Sequence, residues 1–212
     1  MARTKIEVKG FEAKYYDYLM NIITLGYYPR FIKSVVNSLP VEDGFVVLDA
    51  GAGSGRNASL ISERADCSVV CLDIGEEFLT NLAKKSLKNK KLIPVKASLK
   101  ASLPFKDNSL DLVFMCFVLH GFEHEERLFV LDEFVRVLKP GGFFCLVDYN
   151  DEIELKNASL LAKIGFYLEC ELASEFITHK WEDILKGKGF SPVEYKYFFG
   201  KNVRLTIAKK EE

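Results

Sequence analysis

The sequence predicts an α/β fold, with a doubly wound, mostly parallel sheet and helices on both of its faces. Between about residues 45 and 148, apolar strand-like runs alternate with amphipathic helix-like segments. The strand runs are almost continuously apolar, as expected when both faces of a sheet are covered. Two further strand patterns near the C-terminus are joined by Gly200-Lys201-Asn202, which predicts an antiparallel hairpin.

The elements follow in order. Helical spacing of apolar residues predicts helices at 11–25 and 29–38, separated by Gly26-Tyr27-Tyr28. The next predicted elements are strand 45–50, helix 56–65, strand 68–72, helix 76–88, strands 92–95 and 110–116, helix 124–138 and strand 142–148. The helix over 124–138 opens with acidic residues at its positive end and stops before Pro140-Gly141-Gly142.

The last third departs from this alternation. Residues 151–177 mix polar and apolar positions, which predicts a helical insertion. Thr178 is expected to cap a helix that runs through Trp181 and ends at Gly187 or Gly189. The hairpin strands are expected at 192–199 and 203–209, which brings the predicted sheet to seven strands.

Composition bounds the class of protein. A chain of 212 residues with 49% hydrophobic content fits a single domain over 1–212. No apolar run reaches the ~18 residues of a membrane span, and the N-terminus is too polar for a signal peptide, so we expect a soluble, cytoplasmic protein without membrane contact. The net charge of −1 makes a nucleic-acid partner unlikely on composition. Five cysteines without C-x-x-C spacing and three dispersed histidines predict no metal site.

The glycine-rich loop at 48–56 is the most specific feature. It joins an apolar strand to Gly51, Gly53 and Gly55 and opens into a helix, which is typical of a nucleotide-cofactor loop. A dinucleotide fingerprint would need a third glycine where Arg56 stands. Asp49 at the strand end would repel a pyrophosphate, whereas it suits the sulfonium and ammonium groups of S-adenosylmethionine.

Further motifs give the chain a family resemblance. Asp73 ends the second strand at about the distance where doubly wound folds place a ribose-binding acid. The sequence resembles the class I S-adenosylmethionine-dependent methyltransferases, specifically the small-molecule type related to quinone-biosynthesis enzymes. The motifs that carry the resemblance are Leu48-Asp49-Ala50-Gly51-Ala52-Gly53-Ser54-Gly55, Leu72-Asp73-Ile74, residues 103–113 and Arg136-Val137-Leu138-Lys139-Pro140-Gly141-Gly142. The resemblance implies a Rossmann-like fold with a helical cap at 1–40, the 151–177 insertion as substrate cap, and S-adenosylhomocysteine as product.

The resemblance also implies a cofactor site at the carboxyl edge of the sheet. Asp49, Ala50, Gly51 and Gly53 would hold the methionine part, while Asp73 binds the ribose and Ile74 packs on the adenine. Ser98 and Leu99 would border the adenine edge, and Phe117 or Leu119 would line the cofactor near its methyl group. Many relatives carry an aspartate where this chain reads Ala97-Ser98-Leu99-Lys100, so a hydroxyl replaces a carboxylate there.

The sequence signals for residues of the transfer step are less specific than those for the cofactor site. His120 is the candidate general base, because its usual pKa lies near neutrality. Asp148 and Tyr149 could orient the substrate, and Tyr16 resembles part of a family element in the N-terminal helix. The structural alternatives are that His120 only packs beside the cofactor and that Asp148 only caps backbone groups.

The leading hypothesis is therefore a methyltransferase that acts on a small molecule. Two alternatives stay open, a protein or RNA methyltransferase and a cofactor-binding protein without transfer activity. A nicotinamide dehydrogenase is disfavoured by Arg56 and Asp49. The chain is expected to be a monomer or a homodimer.

Overall fold

A computed structural model describes residues 26–151 and 171–212 of the chain. Its strands form one seven-stranded sheet in the order β3-β2-β1-β4-β5-β7-β6. They are β1 (Val46–Ala50), β2 (Ser68–Asp73), β3 (Leu92–Lys96), β4 (Leu110–Cys116), β5 (Leu138–Tyr149), β6 (Phe190–Phe198) and β7 (Val203–Lys210). Strands β1 to β5 pair in parallel, and β7 pairs antiparallel with both β5 and β6. The predicted mostly parallel sheet and its C-terminal hairpin are confirmed.

Helices cover both faces of this sheet, as predicted. The described helices are α1 (Tyr27–Ser38), α2 (Arg56–Arg64), α3 (Glu76–Lys88), α4 (His124–Val137), α5 (Glu171–Phe176) and α6 (Trp181–Gly187), with a 3-10 turn at Leu119–Gly121. Helices α1 to α3 pack on one face through a core that includes Ile32, Ile61 and Leu82. Helices α4 to α6 pack on the other face through Phe134 and Trp181. In the part of the chain described, no helix is both long and apolar enough to cross a membrane.

Strand order places a switch point at the carboxyl end of β1. Strand β1 lies between β2 and β4, so the chain leaves it toward one side and later returns on the other. Open parallel sheets bind ligands beyond the strand ends at such a point. The glycine-rich loop follows β1 directly, which puts it at the expected edge.

The start of β5 differs from the sequence prediction. Pro140-Gly141-Gly142 was expected to separate a helix from a strand at 142, but β5 already begins at Leu138. The pairing with β4 shifts register between Leu110 and Leu112, so the extra residues form a bulge with Gly141 at φ 75°. A bulge keeps strand pairing while it absorbs residues that would otherwise end the strand.

The predicted cap at Thr178 is wrong. Helix α6 begins at Trp181, whose backbone N–H donates to Asp151 Oδ2 at 2.9 Å. The Thr178 hydroxyl instead donates to the carbonyl of Glu175 at 2.7 Å and closes α5. The cap comes from a residue 30 positions earlier in the chain, which local sequence does not reveal.

Two predicted segments lie outside the described residues. They are the helix at 11–25, which holds Tyr16, and most of the insertion at 151–177. Helix α5 falls within the predicted insertion and is helical as expected. The single-domain organisation and the capping role of both segments stay predictions.

Candidate functional site

The glycine-rich loop is packed at Gly51 and Gly55 and leaves open space at Gly53. Gly51, Gly53 and Gly55 all have positive φ, at 80°, 50° and 72°. A Cβ on Gly51 would lie 2.7 Å from Val118 Cγ2, and one on Gly55 would lie 2.3 Å from Leu82 Cδ2, whereas one on Gly53 would meet nothing within 4 Å. The positive φ favours glycine at these positions, a Cβ at the outer two would also displace the Val118 or Leu82 side chain, and the open space lies over Gly53.

Asp73 connects this loop to the next strand. Its Oδ2 accepts the backbone N–H of Gly53 at 2.8 Å, and its Oδ1 accepts that of Gly75 at 2.8 Å. An ionised carboxylate has about four acceptor positions, so two bonds leave capacity for ligand hydroxyls. The loop and the carboxyl end of β2 thus form one continuous site.

Asp49 is an acid buried at the end of β1. It is 1% exposed, and its Oδ2 is buried without a hydrogen-bond partner among the described residues. Burial raises the pKa of Asp49 to about 7; the charge of Asp73 acts in the same direction, and a backbone hydrogen bond from Ala58 opposes both. A cationic ligand group beside this oxygen would compensate the buried charge.

His120 forms a buried pair with Asp148. The His120 Nδ1 lies 2.7 Å from Asp148 Oδ1, and the His120 backbone N–H donates to Asp148 Oδ2 at 3.2 Å. Asp148 lies near the carboxyl end of β5 and His120 in the 3-10 turn after β4, so adjacent parallel strands bring them together. A carboxylate on Nδ1 fixes the ring so that Nε2 is the nitrogen that takes up a proton.

Comparison with known proteins shows which family this part of the chain is similar to. A protein-family model described as a methyltransferase domain matches residues 48–146, which run from the glycine-rich loop to β5. This match, together with the relatives described below, supports a class I S-adenosylmethionine-dependent methyltransferase. The cofactor predicted from Asp49 and Asp73 is therefore confirmed as S-adenosylmethionine. The buried, unpartnered oxygen of Asp49 fits its cationic groups, and the open space over Gly53 admits it.

Similar proteins extend this result. An uncharacterized methyltransferase-like protein of Schizosaccharomyces pombe is 27% identical over 77% of this chain and 61% of its own length. A ubiquinone/menaquinone biosynthesis C-methyltransferase of Stenotrophomonas maltophilia is 29% identical over 89% of this chain and 82% of its own. The methyltransferase spans only 56% to 61% of the length of several other curated relatives that it matches, including the S. pombe protein.

A solved structure supports the fold. It comes from the complex between the Haloferax volcanii Trm112 methyltransferase activator and a putative methyltransferase, with a TM-score of 0.73 and 16% sequence identity. The match covers 97% of this chain and 100% of that one. At this identity the similarity concerns the fold alone, and it confirms the Rossmann-like architecture.

The predicted adenine side of the methyltransferase is more exposed to solvent than the buried region around Asp49. Ile74 is 42% exposed directly after Asp73, in a position to pack on a ring. The Ala97 N–H donates to the Asp73 carbonyl at 3.2 Å, which brings the following loop beside Asp73. In that loop the Ser98 hydroxyl accepts the Lys100 N–H at 3.1 Å, while Leu99 is buried in the core. The Leu99 side chain thus anchors this loop to the hydrophobic core.

Ala50 and Phe117 take different places around the cofactor loop. Ala50 is fully buried at the last position of β1. Phe117 has φ 53°, unusual for a residue with a side chain, and its backbone N–H donates to the Val147 carbonyl at 2.8 Å. The next residue, Val118, packs over Gly51. The strained turn therefore sets Val118 against the glycine-rich loop, between Phe117 and the 3-10 turn that carries His120.

Cys116 lies between the two halves of the site. Burial raises the pKa of its thiol well above the usual value, and the charges of Asp49 and then Asp148 raise it further. The thiol therefore stays neutral and is unsuited to act as a nucleophile. Cys116 ends β4, which pairs with the strand of Asp49 on one side and with the strand of Asp148 on the other, so the cofactor side and the His120 side adjoin.

Aromatic rings link the surface to His120. Tyr27 and Phe199 are 62% and 42% exposed, and successive ring centroids lie 4.9 to 6.2 Å apart along the path. The path consists of Tyr27, Phe199, Phe31, Phe117, Tyr149 and His120. Of these, sequence analysis selected Phe117, Tyr149 and His120. The others come from α1 and from the hairpin end, which only the folded chain places together.

Arg127 supports the turn that carries His120, and sequence analysis missed it. This fully buried side chain donates to the carbonyls of Leu119 at 3.3 Å, His120 at 3.1 Å and Leu172 at 3.0 Å. It also pairs with Glu175 Oε2 at 2.8 Å. Its sequence signal is weak: an arginine on the apolar stripe of a helix, one turn before Leu131.

The pH dependence of cofactor binding tests the role of Asp49. Its pKa is raised from the usual 3.8 to about 7, so its proton favours the folded, unliganded state below pH 7. The stability from this group is therefore lost as the pH rises through about 7, whereas S-adenosylmethionine favours the ionised form. We expect its affinity to rise roughly tenfold between pH 6 and pH 7.5 in titration calorimetry.

The Asp49→Asn variant is the control for this prediction. Its amide does not titrate, so both its affinity and its free energy of unfolding should lack the dependence seen in the parent chain. An equally steep rise in affinity in the variant would show that another group is responsible.

Proposed function

We propose that the methyltransferase transfers the methyl group of S-adenosylmethionine to an apolar aromatic small molecule that carries a hydroxyl, such as a hydroquinone. The observation that carries this proposal is the path of aromatic rings from the surface to His120. Flat rings pack favourably against the exposed rings of Tyr27 and Phe199 and the half-buried rings of Phe117 and Tyr149, which the buried Phe31 joins through ring contacts. A hydroxyl that reached its inner end would meet the histidine.

On this proposal, Asp49 compensates the positive charge of the cofactor and Asp73 binds its ribose hydroxyls. The space over Gly53 lets the cofactor approach the backbone, and the strained turn at Phe117 closes the side nearest His120. The bound cofactor supplies a methyl carbon already activated by the sulfonium. What remains for the protein is to align the acceptor in line with that carbon and to exclude water.

His120 acts as the general base. Its Nε2 accepts the acceptor's hydroxyl proton while Asp148 stabilises the imidazolium that forms. The electron pair released moves into the ring and forms the bond to the methyl carbon as the sulfur–carbon bond breaks. For transfer to carbon, the proton at that carbon then passes to solvent, His120 returns its proton to the oxygen as the ring regains its aromaticity, and S-adenosylhomocysteine leaves. Asp148 is thus a positioning residue, since its oxygens bind His120 and the Tyr149 backbone N–H, at 2.9 Å.

The relatives support this acceptor class in different degrees. The S. maltophilia protein is named for ubiquinone/menaquinone biosynthesis and C-methylation, which agrees with an aromatic acceptor. The H. volcanii structure contains a methyltransferase activator, so a protein or RNA acceptor with a partner subunit is the alternative. The exposed rings of Tyr27 and Phe199 favour a small-molecule acceptor over a protein or RNA acceptor. The expectations of a cytoplasmic location and of a monomer or homodimer stay predictions.

The proposal is tested first at the cofactor. S-adenosylmethionine and S-adenosylhomocysteine at a hundred times their Kd should each stabilise the chain by about 2.7 kcal/mol in thermal unfolding, and NAD should not. Asp73→Ala should abolish most of this stabilisation, while Lys186→Ala, at an exposed ion pair on α6, should keep it. Stabilisation by NAD instead would contradict the cofactor assignment.

The acceptor is tested next, with the enzyme saturated with S-adenosylmethionine. We expect S-adenosylhomocysteine to form with a hydroquinone that carries a short isoprenoid chain, and not with bulk tRNA or a mixture of unmodified peptides. Turnover of tRNA or peptide without the hydroquinone would favour the alternative. No turnover with any of them would favour a cofactor-binding protein without transfer activity.

A further inference from the structure

Three potential metal ligands meet beside, but outside, the proposed site. His124 begins α4, Glu175 lies in α5, and His179 follows α5. One ligating atom of each lies within 4.8 Å of the others. The sequence predicted no metal site, because its three histidines lack clustered cysteines or paired acids at ligand spacing. His124 stands 51 positions before Glu175, and only the fold joins them.

The polar groups of this cluster are incompletely satisfied. The three residues are half-buried, and the His124 Nδ1 atom is buried with no hydrogen-bond partner in the part of the chain described. The two imidazole rings stack at a centroid distance of 4.0 Å with planes 16° apart. An unpaired ring nitrogen in such a place is costly, and a metal ion would pair it.

Glu175 divides its two oxygens between two partners. Oε2 bonds Arg127 at 2.8 Å, and Oε1 lies 2.7 Å from His179 Nε2. A metal ion can take the place of the proton between Glu175 Oε1 and His179 Nε2 without breaking the ion pair to Arg127. The carboxylate would then bridge the arginine and the metal.

We propose that His124, Glu175 and His179 bind one zinc ion. Two imidazoles and a carboxylate are an established zinc ligand set, with a fourth position left for water. Zinc–nitrogen bonds of about 2.0–2.1 Å lie in the ring planes, so binding requires the stacked rings to turn apart. Calcium, which prefers six to eight oxygen ligands, is disfavoured by two nitrogens.

The zinc ion would fasten α5 to the start of α4. Both elements touch the His120 turn, since Arg127 binds the His120 carbonyl and the Phe176 ring lies 6.5 Å from the His120 ring. A metal at this point would hold α5 against the turn that carries the proposed base. The role assigned to it is therefore structural, and zinc itself takes no part in the transfer.

The test uses the full chain, stripped of metal with a chelator and dialysed. We expect Zn²⁺ titrated against a chromophoric chelator to bind with one equivalent per chain and to raise the melting temperature, while Ca²⁺ does neither. His124→Gln, Glu175→Gln and His179→Gln should each weaken zinc binding at least 30-fold. His120→Gln is the matched control and should retain full zinc affinity, even if transfer fails.

Two further readouts keep the test decisive. Thermal stabilisation by S-adenosylmethionine reports whether each variant is folded, independently of zinc. In the unmodified chain, Co²⁺ substituted for Zn²⁺ should show ligand-field bands without a thiolate charge-transfer band. Unchanged zinc affinity in all three variants, a thiolate band, or no binding at 100 µM Zn²⁺ would each overturn the proposal.

Discussion

Replacement of Arg127 by leucine is expected to destabilise the folded chain by about 3 kcal/mol. The substitution removes the ion pair between Arg127 and the half-buried Glu175 carboxylate, which keeps only its contact with His179, and it removes the donor from three backbone carbonyls. It also removes a cation that lies 5.3 Å from the ring centre of Phe176 and 6.0 Å from that of Trp181. Removing one partner of a buried pair costs ~3–5 kcal/mol, and the partial exposure of Glu175 places this case at the lower end.

The measurement is urea unfolding followed by tryptophan fluorescence, since Trp181 is the one tryptophan and packs in the affected region. Lys186→Leu serves as the control, because it breaks an exposed ion pair with Glu182 four residues away. Exposed pairs of this kind contribute little to stability. If both variants lowered the free energy of unfolding equally, Arg127 would not be the support that the structure indicates.

The cofactor half could be predicted from sequence because its signals are local. A strand, a glycine turn and a helix follow each other within 11 residues, and each requires particular residue types. Positive φ at Gly51 and Gly55 and the acid at Asp49 are confirmed features of the structure. The second acid, Asp73, stands at a distance along the chain that the fold class itself dictates.

The acceptor half could be predicted only as separate residues. His120 and Asp148 were both selected, but their pairing depends on β4 and β5 lying side by side with a defined register. The bulge at the start of β5 belongs to that register and was missed. The predicted sheet implied that the carboxyl ends of β4 and β5 lie side by side. The pairing of His120 with Asp148 could therefore have been predicted from the sheet.

Arg127 and the His124 cluster needed tertiary information. A charged residue on the apolar stripe of a helix only interrupts the hydrophobic periodicity when the local sequence is considered, because its partners are distant in sequence. For Arg127, Leu172 and Glu175 lie 45 and 48 positions away. His124 stands 51 and 55 positions before its potential co-ligands Glu175 and His179, and no spacing rule covers ligands brought together by an insertion.

Replacing His120 with glutamine is expected to lower kcat by a factor of about 10² to 10⁴, the usual contribution of a positioned general base. Glutamine retains a polar side chain of similar length but cannot take up a proton near neutral pH. The Kd of this variant for S-adenosylmethionine should be unchanged, because the proposal assigns cofactor binding to Asp49 and Asp73. The assay follows S-adenosylhomocysteine formed from the isoprenoid hydroquinone.

The pH profile separates a base from a packing residue. As the pH approaches the pKa of the acceptor's hydroxyl, solvent ionises the acceptor and the base becomes dispensable, so the deficit of the His120→Gln variant should shrink. If the ring only packed against Tyr149 and Phe176, the deficit would be the same at every pH. Asp148→Asn should fall between the parent and His120→Gln, because it leaves the imidazole in place but removes the charge that stabilises its protonated form.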